Sequence, residues 1–110
     1  MDLSIKVDSD NEVTYIYLAG EVDAYTAPKL KEAVLPKTEI ENHVVKVDLG
    51  EVNYMDSTGL GVFISALKST KENNSHLKLV HLQDRVARLF RITGLDEVID
   101  INSTIEGGNN

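Results

Sequence analysis

The chain has 110 residues, no cysteine and a formal net charge of −7 from 18 acidic and 11 basic side chains. This length predicts one domain with one hydrophobic core. The lack of cysteine excludes thiol catalysis and disulfides, and the acidic balance argues against nucleic acid or an anionic membrane as partner. Because the chain has no apolar run of membrane-spanning length and no signal-peptide pattern at its start, we expect a cytoplasmic protein.

The first 20 residues predict a β-hairpin. Leu3, Ile5 and Val7 alternate with polar residues, as in a half-buried strand. A turn-forming cluster at residues 8–11 separates them from a second β-rich run at residues 13–19. The two strands are therefore expected to pair antiparallel.

A short helix and a third strand follow. Thr26 is expected to cap the helix, with Pro28 in its first turn and Pro36 stopping it. Residues 43–49 are rich in β-branched side chains and predict a strand. Here the chain changes from a hairpin to alternating helix and strand.

The next helix is predicted from Ser57 to about Lys71. Its apolar stripe consists of Leu60, Phe63 or Ile64, and Leu67, at the spacing of a helix that packs on a sheet.

The rest of the domain repeats the alternation. We predict a strand at residues 77–82, a helix at residues 83–92 that Gly94 ends, and a short strand at residues 98–101. A polar, glycine-rich tail at residues 103–110 is expected to be flexible. The domain is therefore predicted to span residues 1–102.

These elements predict an α/β fold with a mixed β-sheet of four to five strands, an initial antiparallel hairpin and three to four packing helices. Functional loops in such sheets leave the carboxyl ends of strands. Two loops qualify, residues 20–26 and residues 53–59, and the second contains Ser57. Both loops are candidates for the functional surface.

Ser57 has two possible uses at a helix start. It can cap free backbone N–H groups, which is the commoner use of such a residue. The same N–H groups and the helix dipole also tolerate an anion, so the hydroxyl can serve as a site of reversible phosphorylation. The two uses are compatible, since an unmodified serine can cap the helix.

Catalytic signatures are weak around Ser57. A nucleophile elbow has glycine two residues before the serine, where this chain has Met55. The combination of Asp56 with a following Gly59 is only superficially like an aspartic protease, and the α/β pattern contradicts that class. The loop carboxylates Glu21 and Asp23 lack a third ligand for Mg²⁺. We predict no catalytic residue, no metal site and no cofactor.

Other polar side chains favour structural roles. The histidines His43, His76 and His81 fall at strand edges or ends, and we expect them to be exposed or partly buried structural residues. The arginines at positions 85, 88 and 91 follow one helix edge. A solvated helix face is favoured for them over a contact strip for an acidic partner.

Three segments together resemble a STAS domain, and more narrowly the bacterial anti-sigma factor antagonists of the RsbV type in the general stress (sigma-B) pathway. They are GEVD at residues 20–23, YMDSTGLGVF at residues 54–63 and RLFRITGL at residues 88–95. The resemblance covers nearly the whole chain in the right order.

The resemblance implies a partner-switching protein and no enzyme. The unphosphorylated antagonist would bind an anti-sigma factor that is also a serine kinase of the RsbW type, which frees the sigma factor. The kinase would phosphorylate Ser57, with Thr58 as a possible secondary acceptor, and a PP2C-type phosphatase would restore binding. An alternative is a STAS module of a stressosome-like scaffold or a nucleotide-sensing assembly.

The expected partner-binding residues lie in the two loops and the first turn of the second helix: Glu21, Asp23, Tyr25, Asp56, Ser57, Thr58, Gly59 and Gly61.

Overall fold

A five-stranded sheet with three α-helices forms the part of the chain that the structure, a computed structural model, describes, namely residues 2–102. In chain order the elements are β1 (Leu3–Ser9), β2 (Val13–Val22), α1 (Ala27–Thr38), β3 (Val44–Met55), α2 (Ser57–Asn73), β4 (His76–Val80), α3 (Asp84–Ile92), a 3₁₀ turn (Leu95–Glu97) and β5 (Asp100–Asn102). The predicted tail at residues 103–110 lies outside the described residues.

The strands lie side by side in their order along the chain. β1 and β2 pair antiparallel, and every later neighbour pairs parallel. This arrangement confirms the predicted α/β class, the mixed sheet and the initial hairpin. Parallel neighbours require crossover connections, which the three helices and the 3₁₀ turn provide.

The helices cover one face of the sheet and leave the other open. In β2, Ile16 and Leu18 are buried in the single hydrophobic core, whereas Tyr15 and Tyr17 between them are exposed. On the covered side, α2 and α3 meet through Phe63 and Phe90, whose ring centroids lie 6.0 Å apart. Alternation with period two therefore separates a dry face from a solvated one.

Several predicted boundaries are wrong. Pro36 lies inside α1, which continues to Thr38, so it does not stop the helix. β2 and β3 run on to Val22 and Met55, beyond the predicted ends at 19 and 49, because their extra residues still pair with each other. The last strand begins only at Asp100, after the 3₁₀ turn.

The structure resolves the choice between Phe63 and Ile64 in the core stripe and confirms the glycine that ends α3. Phe63 is fully buried and Ile64 is 49% exposed, so Phe63 belongs to the core stripe. Gly94 follows α3 in the left-handed conformation with φ 78°, as predicted for a glycine that ends a helix. Within residues 2–102, no helix is long and apolar enough to cross a membrane.

Candidate functional site

The two predicted loops meet because β2 and β3 end in register. Val22 and Met55 are paired neighbours in the parallel ladder, and each is followed directly by its loop. The Asp56 backbone N–H also donates to the Val22 carbonyl at 3.2 Å. The loop that follows β2 and the first turn of α2 therefore share one edge of the sheet.

Asp56, and not Ser57, is the N-cap of α2. Its backbone is extended, with φ −116° and ψ −168°, and its Oδ1 accepts from the Thr58 N–H at 2.9 Å. The Thr58 hydroxyl donates to the same oxygen. These hydrogen bonds, that of the hydroxyl first, lower the pKa of Asp56 below its ordinary value because they favour the charged carboxylate.

Ser57 is the first residue of the helix, so its expected use as a cap is wrong. Its side chain is exposed, and its hydroxyl has no hydrogen-bond partner among residues 2–102. Thr58 is also exposed, but its hydroxyl is bound to Asp56. Of the two adjacent hydroxyls, that of Ser57 is the one available for reaction.

The two glycines of the first turns have different surroundings. A Cβ on Gly59 would lie 2.7 Å from side-chain carbons of both Met55 and Val22, so only glycine lets α2 pack this closely on the strand ends. A Cβ on Gly61 would meet nothing within 4 Å. Gly59 is therefore required by the fold, whereas Gly61 has no such requirement within the described chain.

Asp23 organises the loop after β2. Its Oδ1 accepts from the backbone N–H of Tyr25 at 2.9 Å and of Thr26 at 3.1 Å, while the Thr26 hydroxyl accepts from the Asp23 N–H at 2.9 Å. Thr26 precedes α1 as predicted, but its side chain caps no helical N–H. This loop holds Tyr25 with 88% of its surface exposed.

Glu21 lies at the same edge of the sheet. It pairs with Tyr54 across β2 and β3, and its backbone N–H donates to the Asp2 carbonyl at 2.9 Å. Its Oε1 is buried and has no hydrogen-bond partner in the part of the chain that the structure describes. An unpaired buried carboxylate oxygen is costly, which makes Glu21 unusual among the residues of this edge.

Two exposed apolar side chains near Ser57 were missed by the sequence analysis. Tyr54 is 46% exposed at the end of β3, and Ile64 is 49% exposed on α2. The signal for Ile64 was helical spacing, because Ser57, Gly61 and Ile64 recur every three to four residues along one side of the helix. We call Ser57, Gly61 and Ile64 the outer stripe of α2.

None of the three histidines forms a hydrogen bond with Ser57. His43 is buried and its Nε2 lies 2.7 Å from the Thr14 hydroxyl, which corrects the expectation that it is at least partly exposed. His76 and His81 are exposed and contact Asp100 and Asp48. Residues 2–102 contain no cluster of three potential metal ligands. The site thus offers an accessible hydroxyl next to the Asp56 carboxylate.

The arginines of α3 are solvated. All three, at positions 85, 88 and 91, are exposed, and none forms an ion pair with a described residue.

Known proteins of one family match this chain over nearly its full length. The family model of the STAS domain matches residues 4–108. An anti-sigma-B factor antagonist of Listeria monocytogenes is 50% identical over 114 residues, covering 100% of this chain and 99% of the relative. The anti-sigma-B factor antagonist of Bacillus subtilis is 42% identical, covering 98% of each.

A solved structure has the same fold. The crystal structure of a putative anti-sigma factor antagonist from Thermotoga maritima has a TM-score of 0.79 and 25% identity, covering 94% of this chain and 90% of the other.

Proposed function

The chain belongs to the STAS domain family and, within it, to the anti-sigma-B factor antagonists, and we propose that it works as a partner switch. In its unphosphorylated form it binds an anti-sigma factor that is also a serine kinase of the RsbW type. The sigma factor that this kinase held is then released. The chain itself is regulatory, acts in the cytoplasm without cofactor, and has neither nucleic acid nor a membrane as partner.

We further propose that Ser57 is the switch residue. The kinase phosphorylates it and ends binding, and a PP2C-type phosphatase removes the phosphate and restores binding. The observation that carries this proposal is the exposed Ser57 hydroxyl without a hydrogen-bond partner in the described chain, at the first residue of a 17-residue helix. The Thr58 hydroxyl is held by Asp56 and is at most a secondary acceptor.

Phosphate at this position suits a local block of binding. It adds about −1.5 to −2 charges at pH 7 beside Asp56. The start of a helix tolerates that charge, so the fold need not rearrange. At an interface, the same group brings bulk, desolvation and repulsion, and a penalty of roughly 3–4 kcal/mol weakens binding by two to three decades.

The proposed contact surface comprises Glu21, Asp23, Tyr25, Asp56, Ser57, Thr58, Gly59 and Gly61. Its members contribute in different ways. Tyr25 is the exposed aromatic anchor of the kind that interfaces favour. Gly59 contributes by letting α2 lie close to the strand ends, and Gly61 by leaving space for a partner near the helix backbone.

The decisive experiment is intact-mass analysis after incubation with the cognate anti-sigma kinase and ATP. We expect one added phosphate on the wild type and none on Ser57→Ala, with Thr58→Ala as the matched control that is still modified. Phosphate on Ser57→Ala would refute the assignment to Ser57. No phosphate on any variant would refute the switch and favour a stressosome-like scaffold or a nucleotide-sensing role.

A further inference from the structure

The open face of the sheet carries a basic and aromatic cleft. It has a volume of about 260 Å³, and the lining side chains that matter here are Tyr15, Tyr17, Lys46, Asp48, Lys78 and His81. None of them belongs to the proposed partner surface, which lies at the carboxyl-terminal edge of the sheet.

The two lysines of the cleft stand next to each other. Lys46 and Lys78 are paired neighbours in β3 and β4, whose backbones are separated by about 4.8 Å. Both side chains are half-buried, and neither has an ion-pair or hydrogen-bond partner among residues 2–102. Like charges on adjacent strand positions repel each other, and the neighbouring carboxylates, Asp48 in β3 and Asp100 opposite Lys78 in β5, form no ion pair with either lysine.

The carboxylate of the cleft, Asp48, has hydrogen-bond partners other than the lysines. Asp48 Oδ1 accepts from the Gly50 N–H at 2.8 Å, and Asp48 Oδ2 lies 2.9 Å from His81 Nδ1. His81 is in the left-handed conformation with φ 64°, an uncommon backbone state for a residue other than glycine. Asp48 keeps its negative charge, but its oxygens are directed at these two groups and it forms no ion pair with either lysine.

Two tyrosines form one wall of the cleft. The rings of Tyr15 and Tyr17 stack with centroids 6.5 Å apart and an interplanar angle of 15°, and they are 38% and 43% exposed. Lys46 Nζ lies 5.6 Å from the centre of the Tyr15 ring, which orients its ammonium group along this wall. An aromatic surface therefore borders two ammonium groups that have no ion-pair partner among residues 2–102.

We propose that this cleft binds a small aromatic anion, a planar ring bearing a phosphate or carboxylate group. The anionic group lies between the ammonium groups of Lys46 and Lys78 and forms the direct ion pairs that these lysines lack within the described chain. The ring packs on the Tyr15 and Tyr17 wall, whose aromatic surface is partly exposed. The cleft volume of about 260 Å³ lies just below that of typical ligand pockets, which begin at about 300 Å³, and therefore suits a small molecule.

Phenyl phosphate is the probe that tests this site. Because the chain has no tryptophan, tyrosine emission is observable directly, and amide resonances of residues 15–17, 46–48 and 78–81 report binding locally. We expect these signals to change on titration, with inorganic phosphate binding at least about fivefold more weakly because it lacks the ring.

Substitutions distinguish binding in the cleft from a general effect of the protein's net charge. Lys46→Gln and Lys78→Gln should each weaken phenyl phosphate about tenfold, because each loses a charge-assisted contact. Lys71→Gln, at an exposed position in the last turn of α2, changes the net charge equally and should bind like the wild type. Equal affinity of all three variants, or of phenyl phosphate and inorganic phosphate, would overturn the proposal.

Sedimentation velocity tests whether a second copy of the chain, and not a small ligand, covers this face of the sheet. A concentration-dependent dimer that Lys78→Gln abolishes would show a second copy on this face and would overturn the small-ligand assignment. We expect a monomer with and without probe.

Discussion

At the scale of single residues, the first turn of α2 divides its tasks between neighbours. Asp56 caps the helix, Thr58 supplies both donors to that cap, and Ser57 between them is left without a hydrogen-bond partner in the described chain. A residue that caps its own helix could not be modified without loosening the fold. The separation of capping from modification therefore lets Ser57 change its charge while the helix keeps its start.

This division predicts different effects of two alanine substitutions. At pH 7, Asp56→Ala should lower the free energy of unfolding by about 1 kcal/mol, the usual effect of losing an N-cap. Ser57→Ala should change it by less than about 0.5 kcal/mol. Urea unfolding measures both, and equal losses would contradict the assignment of the cap.

The Asp56 effect should also depend on pH. Its pKa in the folded protein is lowered, so its stabilising contribution is fully present above the ordinary aspartate pKa of about 4. That contribution is lost as the pH falls through the lower folded value. Repeating the unfolding series at acid pH should therefore bring wild type and Asp56→Ala closer together.

Sequence reasoning predicted which two loops are candidates for the functional surface, but not which residue caps α2. Asp56 and Ser57 are adjacent and both are good N-caps, so only the backbone conformation distinguishes them. The place of Ser57 at the start of a helix after a strand followed from the alternating patterns, whereas its exposure and the order of the strands were seen only in the structure. The unpaired Oε1 of Glu21 had no sequence signal, because it depends on packing at the sheet edge.

At the scale of elements, the two sides of α2 differ. Gly59 packs against the ends of β2 and β3, whereas Gly61 belongs to the outer stripe on the other side. Helix and strand identities were predictable because hydrophobic periods of 3.6 and 2 differ clearly. The residues at which the helices and strands end were less predictable. β2 and β3 extend beyond their predicted ends because each supplies the other's hydrogen bonds, a gain that no local pattern contains.

The two glycines of α2 offer a matched pair of substitutions. Gly59→Ala should destabilise the fold by about 1–2 kcal/mol, because the new Cβ would collide with Val22 and Met55. Gly61→Ala should stabilise the helix by about 0.5–1 kcal/mol, since its Cβ meets open space.

Binding separates the two glycines further. If Gly61 lies on the proposed surface, Gly61→Ala should weaken binding of the anti-sigma factor, although the variant itself is more stable. Calorimetric titration measures this affinity. A stabilised Gly61→Ala variant with wild-type affinity would remove Gly61 from the contact surface.

At the scale of the whole molecule, the phosphate is proposed to act where it is attached. Amide spectra of the phosphorylated and unmodified protein should differ around residues 22–26 and 54–61. They should coincide at the end of β1 and at the start of β4, which lie at the opposite edge of the sheet. Shifts spread through those strands would contradict a local block and indicate a rearranged domain. Thr58→Ala, phosphorylated in parallel, serves as the control for the neighbouring hydroxyl.

The sequential strand order has a consequence for how this molecule is made. Each strand lies beside the one before it in the chain, so no strand waits for a later one to be inserted between it and its neighbour. On the ribosome, the emerging chain can therefore extend the sheet from one growing edge, hairpin first, as each segment leaves the exit tunnel. Helix α2 follows β3 directly, so the ends of β2 and β3, against which its first turn packs, are translated before it.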